Sequence, residues 1–366
     1  MNIRRYTLTG ALSGILAGGC ALMDQHLPPA GPGPALSAEQ VYELVAQLTW
    51  ADPQKGQGIA DALLQSGPAA IRVVTDMLTP PEDSSDANAR FALEALVMRV
   101  QRRGAEQQRA MVSDTLAQAL TRANDVEIKT FLIQRLQLVG GAEVAPVLAA
   151  YLGDRDLCEP ATQALLAIGG PGVADAFRTH LPHAEGPCLV TLVQALGTLA
   201  DKEAISLLRP HADNPENTLR HAALYALSRC GDREIIPRLQ AAATGPSAHE
   251  ASLARRNLLV LAKALAEEGD LDSAIAVCRE FLAHESAPIA SAGLATLVSI
   301  QGKAALPELL AVMDRESAQL RESALDMALK MPGKAVTDAW IAKAATVAPE
   351  ARAAIVRMLG RRQDPR

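Results

Sequence analysis

The amino-acid sequence predicts an all-α protein, a right-handed α-solenoid of stacked antiparallel helical hairpins. One observation is a small residue, mostly glycine, that recurs about every thirty residues with an aliphatic residue four positions before it. Another is a composition that is 49% hydrophobic but only 3% aromatic and rich in Ala and Leu, which favours helices that pack closely. Period-two alternation of apolar and polar residues is scarce, so the chain has little from which to build a sheet.

The repeat defines the end of each first helix. Its small anchor residue occupies ten positions, namely Gly67, Gly104, Gly140, Gly169, Ala200, Gly231, Gly269, Gly302, Gly333 and Gly360. The residue four positions earlier is aliphatic every time, namely Leu63, Val100, Leu136, Leu165, Leu196, Leu227, Leu265, Val298, Leu329 and Val356. Glycine at these anchors is typical of a left-handed helix C-cap.

A second helix follows each anchor. One apolar column lies eight residues after the anchor, at Leu148, Phe177, Leu208, Leu239, Val277, Leu310 and Ile341. Another lies four residues after the anchor, at Val144, Val173, Ala204, Ile235 and Leu306. Asp201, Asp232 and Asp270 directly follow an anchor and are expected to cap the second helix. One hairpin cannot bury both of its apolar stripes, so residues 37–366 are predicted to stack as about ten hairpins.

One unit carries a resemblance to a known repeat. Residues 218–244 hold Arg220, Ala222, Ala223, Leu227, Gly231, Asp232, Ile236, Pro237 and Leu239, and this pattern resembles a HEAT repeat of the bacterial variety found in phycobilisome bilin lyases. Segments 127–152 and 319–345 resemble it more loosely. Segment 261–282 resembles a TPR hairpin instead. Both resemblances imply an α-solenoid, and the first also implies a less favoured alternative, an enzyme similar to the bilin lyases.

The N-terminus has the features of an export signal. Arg4 and Arg5 precede a short apolar stretch that ends in the run LAGGC at Cys20, which has the proportions of a signal peptide. The run resembles a bacterial lipobox, and the resemblance implies that residues 1–19 are removed and that Cys20 is lipidated. An ordinary cleaved signal peptide with a chance cysteine is the alternative.

The segment after Cys20 is predicted to be a tether. Ala21 is not an aspartate, and the lipoprotein sorting rule then implies anchoring to the outer membrane, on its periplasmic face. Residues 20–36 are rich in Pro and Gly and form a semi-stiff spacer. Ser37 and Gln40 form a capping box that begins the folded part.

Four further cysteines can be free or paired. Cys158 and Cys188 fall at matching places in neighbouring units, and an oxidising periplasm permits a disulfide. Stacked helix axes lie about 8–10 Å apart, beyond an unstrained bridge. Buried free thiols are therefore favoured, with the disulfide left open. Cys230 occupies a position that is apolar in other units, which indicates the core.

Cations recur on consecutive second helices and form the candidate partner-binding site. His180 and His211 each lie eleven residues after an anchor, Arg178 and Arg209 each lie nine after, and Arg238 lies one unit further on. We interpret these five residues as a basic ladder that contacts an anionic patch on a protein partner. A solvated helix face is the plainer alternative. A small-ligand or metal site at His180, His183 and His211 is another.

Other signals argue against catalysis and nucleic-acid binding. No nucleophile elbow, zinc-protease motif, P-loop or dinucleotide fingerprint occurs. The net charge is −6, which disfavours nucleic acid as a partner.

Trp50 and Trp340 lie near the ends of the array, where packing under a cap is expected. The sequence thus predicts a non-enzymatic, membrane-anchored scaffold without a cofactor, whose partner is an unidentified protein.

Overall fold

The structure is a computed structural model that describes residues 35–48, 53–80 and 84–362. The predicted signal peptide, Cys20, most of the tether and Trp50 lie outside these residues. The described residues form α-helices joined by short loops and 3-10 turns, and they contain no β-strand. The predicted all-α class is confirmed.

Twenty α-helices occur in the described residues. In chain order they are α1 (Ala38–Ala46), α2 (Pro53–Ser66), α3 (Pro68–Asp76), α4 (Ala87–Val100), α5 (Glu106–Arg122), α6 (Val126–Val139), α7 (Ala145–Ala149), α8 (Cys158–Ile168), α9 (Val173–His180), α10 (Gly186–Leu199), α11 (Ile205–Leu208), α12 (Asn217–Arg229), α13 (Ile236–Ala243), α14 (Ala248–Glu268), α15 (Leu271–Ala283), α16 (Ala287–Gln301), α17 (Leu306–Val312), α18 (Ala318–Leu329), α19 (Lys334–Thr346) and α20 (Pro349–Arg361).

The helices form two layers. Even-numbered helices from α2 to α20 pack in sequence against one another and form the layer of first helices. Odd-numbered helices lie on the other side, and from α3 to α19 each packs against the even-numbered helix that follows it. Nine hairpins result, from α2–α3 to α18–α19, with α1 and α20 flanking them. The sequence predicts about ten, but Gly360 lies inside α20 and closes no hairpin in the described residues.

The predicted buried position four residues before each anchor holds for seven first helices, α2 to α14. It shifts by one residue in α16, α18 and α20. Leu63, Val100, Leu136, Leu165, Leu196, Leu227 and Leu265 are almost completely buried. Further on, Leu297, Ala328 and Ile355 are the fully buried residues, each one position before its predicted counterpart. A glycine marks where a helix ends, but it does not fix how many residues separate that end from the last buried turn.

The second helices show the same shift. Leu309 and Trp340 are fully buried, whereas Leu310 is only partly buried and Ile341 is 55% exposed. The predicted core positions Leu310 and Ile341 are therefore wrong by one residue. The burial of Trp340 confirms that this side chain packs in the core near the end of the described array.

The turns agree with the predicted caps at most anchors. Eight of the ten anchors have positive φ, and Gly140 and Gly360 do not. Gly140 has φ −65°, and a Cβ there would lie 2.7 Å from the carbonyl oxygen of Leu136, so close approach explains this glycine. Asp201, Asp232 and Asp270 accept backbone N–H groups two or three residues on, at 3.2–3.3 Å. The predicted aspartate caps are confirmed.

Two details refine the ends of individual helices. Ser37 and Gln40 form the predicted capping box at the start of α1. Ser247 caps the start of α14, which at 21 residues is longer than the first helices before it. Within the residues that the structure describes, one continuous stretch, Ala287–Val312, is long and apolar enough by composition to cross a membrane. It folds as α16 and α17 around a turn at Gly302 and packs between α15 and α18.

Ala200 provides a test of the turn geometry. It is the one non-glycine residue with positive φ (52°) in the part of the chain described. A left-handed L-residue costs about 1–2 kcal/mol, and glycine's extra chain entropy offsets about half of that. We expect Ala200→Gly to raise the free energy of unfolding by about 0.5 kcal/mol. Urea denaturation measures this change, with Ala195→Gly in the middle of α10 as a destabilising control.

Candidate functional site

Arg178 contacts carboxylates from two hairpins. It lies near the end of α9, where its Nη1 donates to Asp201 Oδ2 at 2.5 Å. Its Nη2 lies 2.9 Å from Glu203 Oε2 and also contacts Asp175 of its own helix. The Arg178 side chain is 18% exposed. The guanidinium is therefore already surrounded by carboxylates of this chain.

Arg209 repeats this contact one hairpin further on. Its Nε and Nη2 donate to the two carboxylate oxygens of Asp232 at 2.8 Å each, and its Nη1 lies 2.8 Å from Glu234 Oε2. The Asp232 side chain is only 2% exposed. The hydrogen bonds to Asp232 raise the pKa of Arg209 well above its usual value. A two-point hydrogen bond between Arg and a carboxylate is both strong and directional.

These contacts explain why the sequence pairs an Asp after the anchor with an Arg nine residues after it. The arginine of one second helix reaches the aspartate that caps the next hairpin, at a sequence separation of 23. The same aspartate accepts the backbone N–H of Glu203 or Glu234. Each Arg–Asp pair thus joins two neighbouring hairpins at the second-helix layer.

The other cations of the predicted ladder are arranged differently. Arg238 points back to the preceding hairpin and contacts Asp213 and the Ala212 carbonyl oxygen. His180 Nδ1 lies 2.8 Å from the carbonyl oxygen of Ala176. Burial lowers the pKa of His211. The five predicted residues therefore lie on consecutive second helices but do not form one cluster of free cations.

The arginines of this surface are already paired within the chain. We call the surface the second-helix ridge, defined by Arg178, Arg209 and Arg238 with the carboxylates Asp175, Asp201, Glu203, Asp213, Asp232 and Glu234 that contact them. Lys202 and Arg233 are exposed among these carboxylates. The sequence aligns the arginines with one another, whereas their carboxylate partners come from a different position of the next unit. The partner-binding role of the five predicted residues stays a prediction.

The metal alternative finds no support in the geometry. In residues 35–48, 53–80 and 84–362, no group of three or more His, Cys, Asp or Glu side chains is placed to hold a metal ion. His183 is exposed in the 3-10 turn after α9, whereas His180 bonds to its own helix. The structure does not bring His180, His183 and His211 together as ligands.

Arg209 is expected to stabilise the folded chain through its pair with Asp232. We expect Arg209→Glu to lower the free energy of unfolding by about 2 kcal/mol, because it leaves the buried Asp232 beside another carboxylate. Arg233→Glu is the control. The Arg233 side chain is 73% exposed and its Nη1 lies 3.9 Å from Asp270 Oδ2, and exposed ion pairs contribute little to stability. Urea denaturation compares the two. Equal losses would contradict a structural role for the Arg209–Asp232 pair.

The cysteines are arranged differently from the favoured expectation. Cys158 and Cys188 form a disulfide with a Cα–Cα distance of 5.8 Å, so the expectation of free thiols is wrong for this pair. Helix axes about 8–10 Å apart bring directly facing Cα atoms to about 3.4–5.4 Å, because each Cα lies about 2.3 Å from its axis. Cys230 and Cys278 are buried and free, as expected. Burial raises their pKa to about 12 and about 11.

The described surface has shallow depressions between hairpins. One, of about 200 Å³, lies on the ridge and is lined by Arg209, Ala212, Asp213, Leu227, Glu234, Ile235 and Arg238. A second, of about 370 Å³, lies at the starts of α8, α10 and α12 and is lined by Glu159, Gly186, Pro187, Val190, Thr191, Glu216 and Thr218. Both are open to solvent.

The fold is an α-solenoid of helical hairpins, and a sequence relative agrees with the predicted resemblance. The chain is 33% identical over 138 residues to phycocyanobilin lyase subunit alpha of Picosynechococcus sp., a match that covers 36% of this chain and 51% of that protein. The chain therefore spans about half the length of this curated relative. No protein-family profile matches the chain.

Two solved structures with a similar course of the chain are those of Kap95p and Kap121p. A structure of Kap95p with RanGDP has a TM-score of 0.49 at 12% identity and covers 88% of this chain and 51% of the other. A Kap121p mutant has a TM-score of 0.40 at 11% identity and covers 88% and 45%.

Proposed function

We propose that this chain is a non-enzymatic scaffold that binds another protein through the surface of its solenoid. The observation that carries the proposal is the arrangement of nine hairpins in two continuous layers with open depressions between them. Such a stack presents a long surface and suits an extended or convex protein partner. The scaffold function rests on the fold, so it defines a class of partner and no individual protein.

The second-helix ridge is the proposed contact surface. It holds Arg178, Arg209 and Arg238, with His180 and His211 on the same second-helix segments. Glu203 and Glu234 are 78% and 69% exposed at its rim. Because carboxylates outnumber arginines, we propose that the partner presents a positively charged surface, in place of the anionic patch that the sequence suggested.

Capture of envelope proteins tests this function. The tethered protein would be immobilised, incubated with detergent-solubilised envelopes, and its bound proteins identified by mass spectrometry. Glu203→Lys with Glu234→Lys should remove the specific partner, because both side chains are exposed and the change reverses the rim charge. Glu267→Lys with Glu322→Lys changes two other exposed carboxylates by the same amount. Equal recovery by both double variants would argue against the ridge.

We also propose that the scaffold works at the cell envelope. Cys20 would carry the lipid anchor that the lipobox resemblance implies, on the periplasmic face of the outer membrane. The Cys158–Cys188 disulfide supports an exported protein, because structural disulfides persist in oxidising compartments. We expect Cys20→Ala to move the protein from the membrane fraction to the soluble periplasmic fraction. Immunoblots of the two fractions measure this, and a variant still in the membrane would refute the anchor.

A second candidate function is an enzyme similar to the bilin lyases, and the named relative favours it. Two observations weigh against thiol chemistry in the described residues: Cys158 and Cys188 are joined, and Cys230 and Cys278 are buried with raised pKa values. Incubation with phycocyanobilin separates the candidates. A lasting change in the absorbance spectrum of the pigment would support the enzyme. An unchanged spectrum would argue against the enzyme and favour the scaffold function.

A further inference from the structure

The layer of first helices carries a charged and aromatic surface at α12 and α14, which pack side by side. The α12 residues of this surface recur every four positions and the α14 residues every seven, so each set lies along one face of its helix. We call the surface the basic strip, defined by His221, Tyr225, Arg229, His249, Arg256 and Lys263. It lies in the layer opposite to the second-helix ridge, and none of its residues belongs to the predicted partner-binding set.

Side chains of the two helices meet across the strip. The ring centroids of His221 and His249 lie 6.1 Å apart, with an angle of 64° between the ring planes. The guanidinium of Arg256 lies over the Tyr225 ring, with its Cζ 5.0 Å from the ring centroid. These two contacts, at different turns of both helices, show that the two sets of residues face one another and form one surface.

Glu250 is engaged at one end of the strip. His221 Nε2 lies 2.9 Å and 3.0 Å from its two carboxylate oxygens, and Arg220 Nη2 lies 3.4 Å from Oε1. The hydrogen bond from His221 lowers the pKa of Glu250. This carboxylate therefore orients the His221 ring and does not neutralise the cations further along the strip.

The cations of the strip are exposed and unpaired. Arg229, Arg256 and Lys263 are exposed, and none of them forms an ion pair in the part of the chain that the structure describes. Tyr225 contacts the Arg256 guanidinium through its ring, and such a contact holds the cation without neutralising its charge. This differs from the second-helix ridge, where the arginines contact carboxylates.

The neighbouring first helices supply no compensating charge. Helix α12 contains no Asp or Glu, and α10 and α16, which flank α12 and α14, contain no charged residue. Beyond Glu250, the carboxylates of α14 lie at its end, where Glu268 pairs with Lys202 at 3.1 Å and Glu267 lies one turn after Lys263. The strip is therefore a locally positive surface on a chain with a net charge of −6.

The form of the strip favours an extended acidic segment as its ligand. The distance from His249 to Lys263 is about 21 Å along α14, at about 1.5 Å per helical residue, and about six residues of extended chain span it. Guanidinium, ammonium and imidazole groups donate hydrogen bonds to carboxylates. Among the described residues, the exposed large apolar side chains lie on helices other than α12 and α14, so the strip lacks the apolar anchors of a membrane-inserting surface.

We propose that the basic strip docks an extended, Asp- or Glu-bearing segment of a protein partner. Carboxylates of the segment bind Arg229, Arg256 and Lys263, and Tyr225 holds Arg256 in position. The inference rests on the proposed scaffold function and names the chemistry of the partner at a second surface.

The first test uses a synthetic peptide in which four glutamates alternate with glycines, labelled with tetramethylrhodamine and followed by fluorescence anisotropy. Arg256→Gln with Lys263→Gln should weaken binding of this peptide at least fivefold. Lys330→Gln with Arg357→Gln is the matched control, since it removes the same charge from exposed positions elsewhere, and it should weaken binding less than twofold. The same peptide with glutamine in place of glutamate should not bind.

Tyr225 provides a test that leaves the net charge unchanged. Tyr225→Leu removes the ring under Arg256 and should weaken the peptide at least twofold, whereas Tyr225→Phe keeps the ring and should bind the peptide as the unaltered protein does. Circular dichroism checks that both variants are folded. Equal affinities of the two variants would contradict the part of the proposal in which the ring positions Arg256.

Three further outcomes would overturn the proposal. One is the absence of peptide binding to the unaltered protein. Another is equal weakening by the two double variants, which would mean that only the net charge attracts the peptide. The third concerns vesicles of phosphatidylethanolamine and phosphatidylglycerol, with which the Cys20→Ala protein should not sediment. Sedimentation that Arg256→Gln with Lys263→Gln abolishes would assign the strip to an anionic membrane in place of a protein segment.

Capture from solubilised envelopes separates the strip from the scaffold function. If the unaltered protein captures no reproducible partner, the scaffold proposal fails. If it captures a partner and the Arg256→Gln, Lys263→Gln variant captures that partner equally well, the scaffold stands and the strip proposal fails. Loss of the partner in this variant and its retention in the Lys330→Gln, Arg357→Gln variant would support both.

Discussion

Replacing Trp340 with alanine is expected to lower the free energy of unfolding by about 3–5 kcal/mol. Trp340 lies on α19, has no exposed surface, and is the largest side chain of a separate apolar cluster between α16 and α20. Removing it leaves a large cavity among its neighbours, including Val336 and Ile355. Urea denaturation followed by circular dichroism measures the loss.

The effect should be local as well as large. A solenoid hairpin contacts only its neighbours, so damage at one end of the described array spreads weakly. Hydrogen exchange should therefore increase most over residues 318–361 in the Trp340→Ala variant and little over residues 87–139. Trp340→Phe should cost less, because the indole Nε1 is buried with no hydrogen-bond partner among the described residues.

The adjacent residue provides the control. Ile341 is 55% exposed, and Ile341→Ala should change the free energy of unfolding by less than about 0.5 kcal/mol. The repeat register in the sequence predicts the reverse, with Ile341 in the core. A larger loss for Ile341→Ala than for Trp340→Ala would restore that register and contradict the observed packing.

The hairpins and their caps could be predicted from the sequence because they depend on local signals. Ser37 with Gln40, and the aspartates after the anchors, bond to backbone groups two or three residues away. The apolar columns depend on helical periodicity within one unit, so Leu136 and Phe177 were identified as core residues. Local hydrogen bonds and one-helix periodicity are what a single sequence records directly.

The contacts between hairpins were harder to predict. Aligning equivalent positions places Arg178 beside Arg209, but each arginine contacts an aspartate at a different position of the next unit. A repeat alignment compares like positions and contains no information about such offset pairs. The partner-binding role of these residues stays a prediction, whereas their bonds between hairpins are an observed contact.

The depression at the starts of α8, α10 and α12 gave no signal in the sequence for a similar reason. Its lining comes from the starts of three helices in three units, and Glu159 and Glu216 occupy positions that look like ordinary first-turn or capping carboxylates. Only the spacing of the helix starts shows that these residues face one depression. The distance between helix axes leaves the Cys158–Cys188 disulfide open, because it exceeds the distance between facing Cα atoms.

Removing the disulfide is expected to lower the free energy of unfolding by about 3–4 kcal/mol. Cys158 and Cys188 are 30 residues apart in sequence, and their link restricts the unfolded chain over that loop. Cys158→Ala with Cys188→Ala is the preferred variant, because alanine leaves no unpaired hydroxyl in two buried positions. Urea denaturation under non-reducing conditions measures the loss.

Reduction of the unaltered protein is the matched control for that variant. In dithiothreitol the two proteins should have nearly the same stability, because both then lack the link. A stability difference that persists in dithiothreitol would assign the loss to packing at Cys158 and Cys188 and not to the bond. Thiol titration of the Cys20→Ala protein in denaturant should find two reactive groups before reduction and four after it, since Cys230 and Cys278 are free. Four groups before reduction would contradict the disulfide directly.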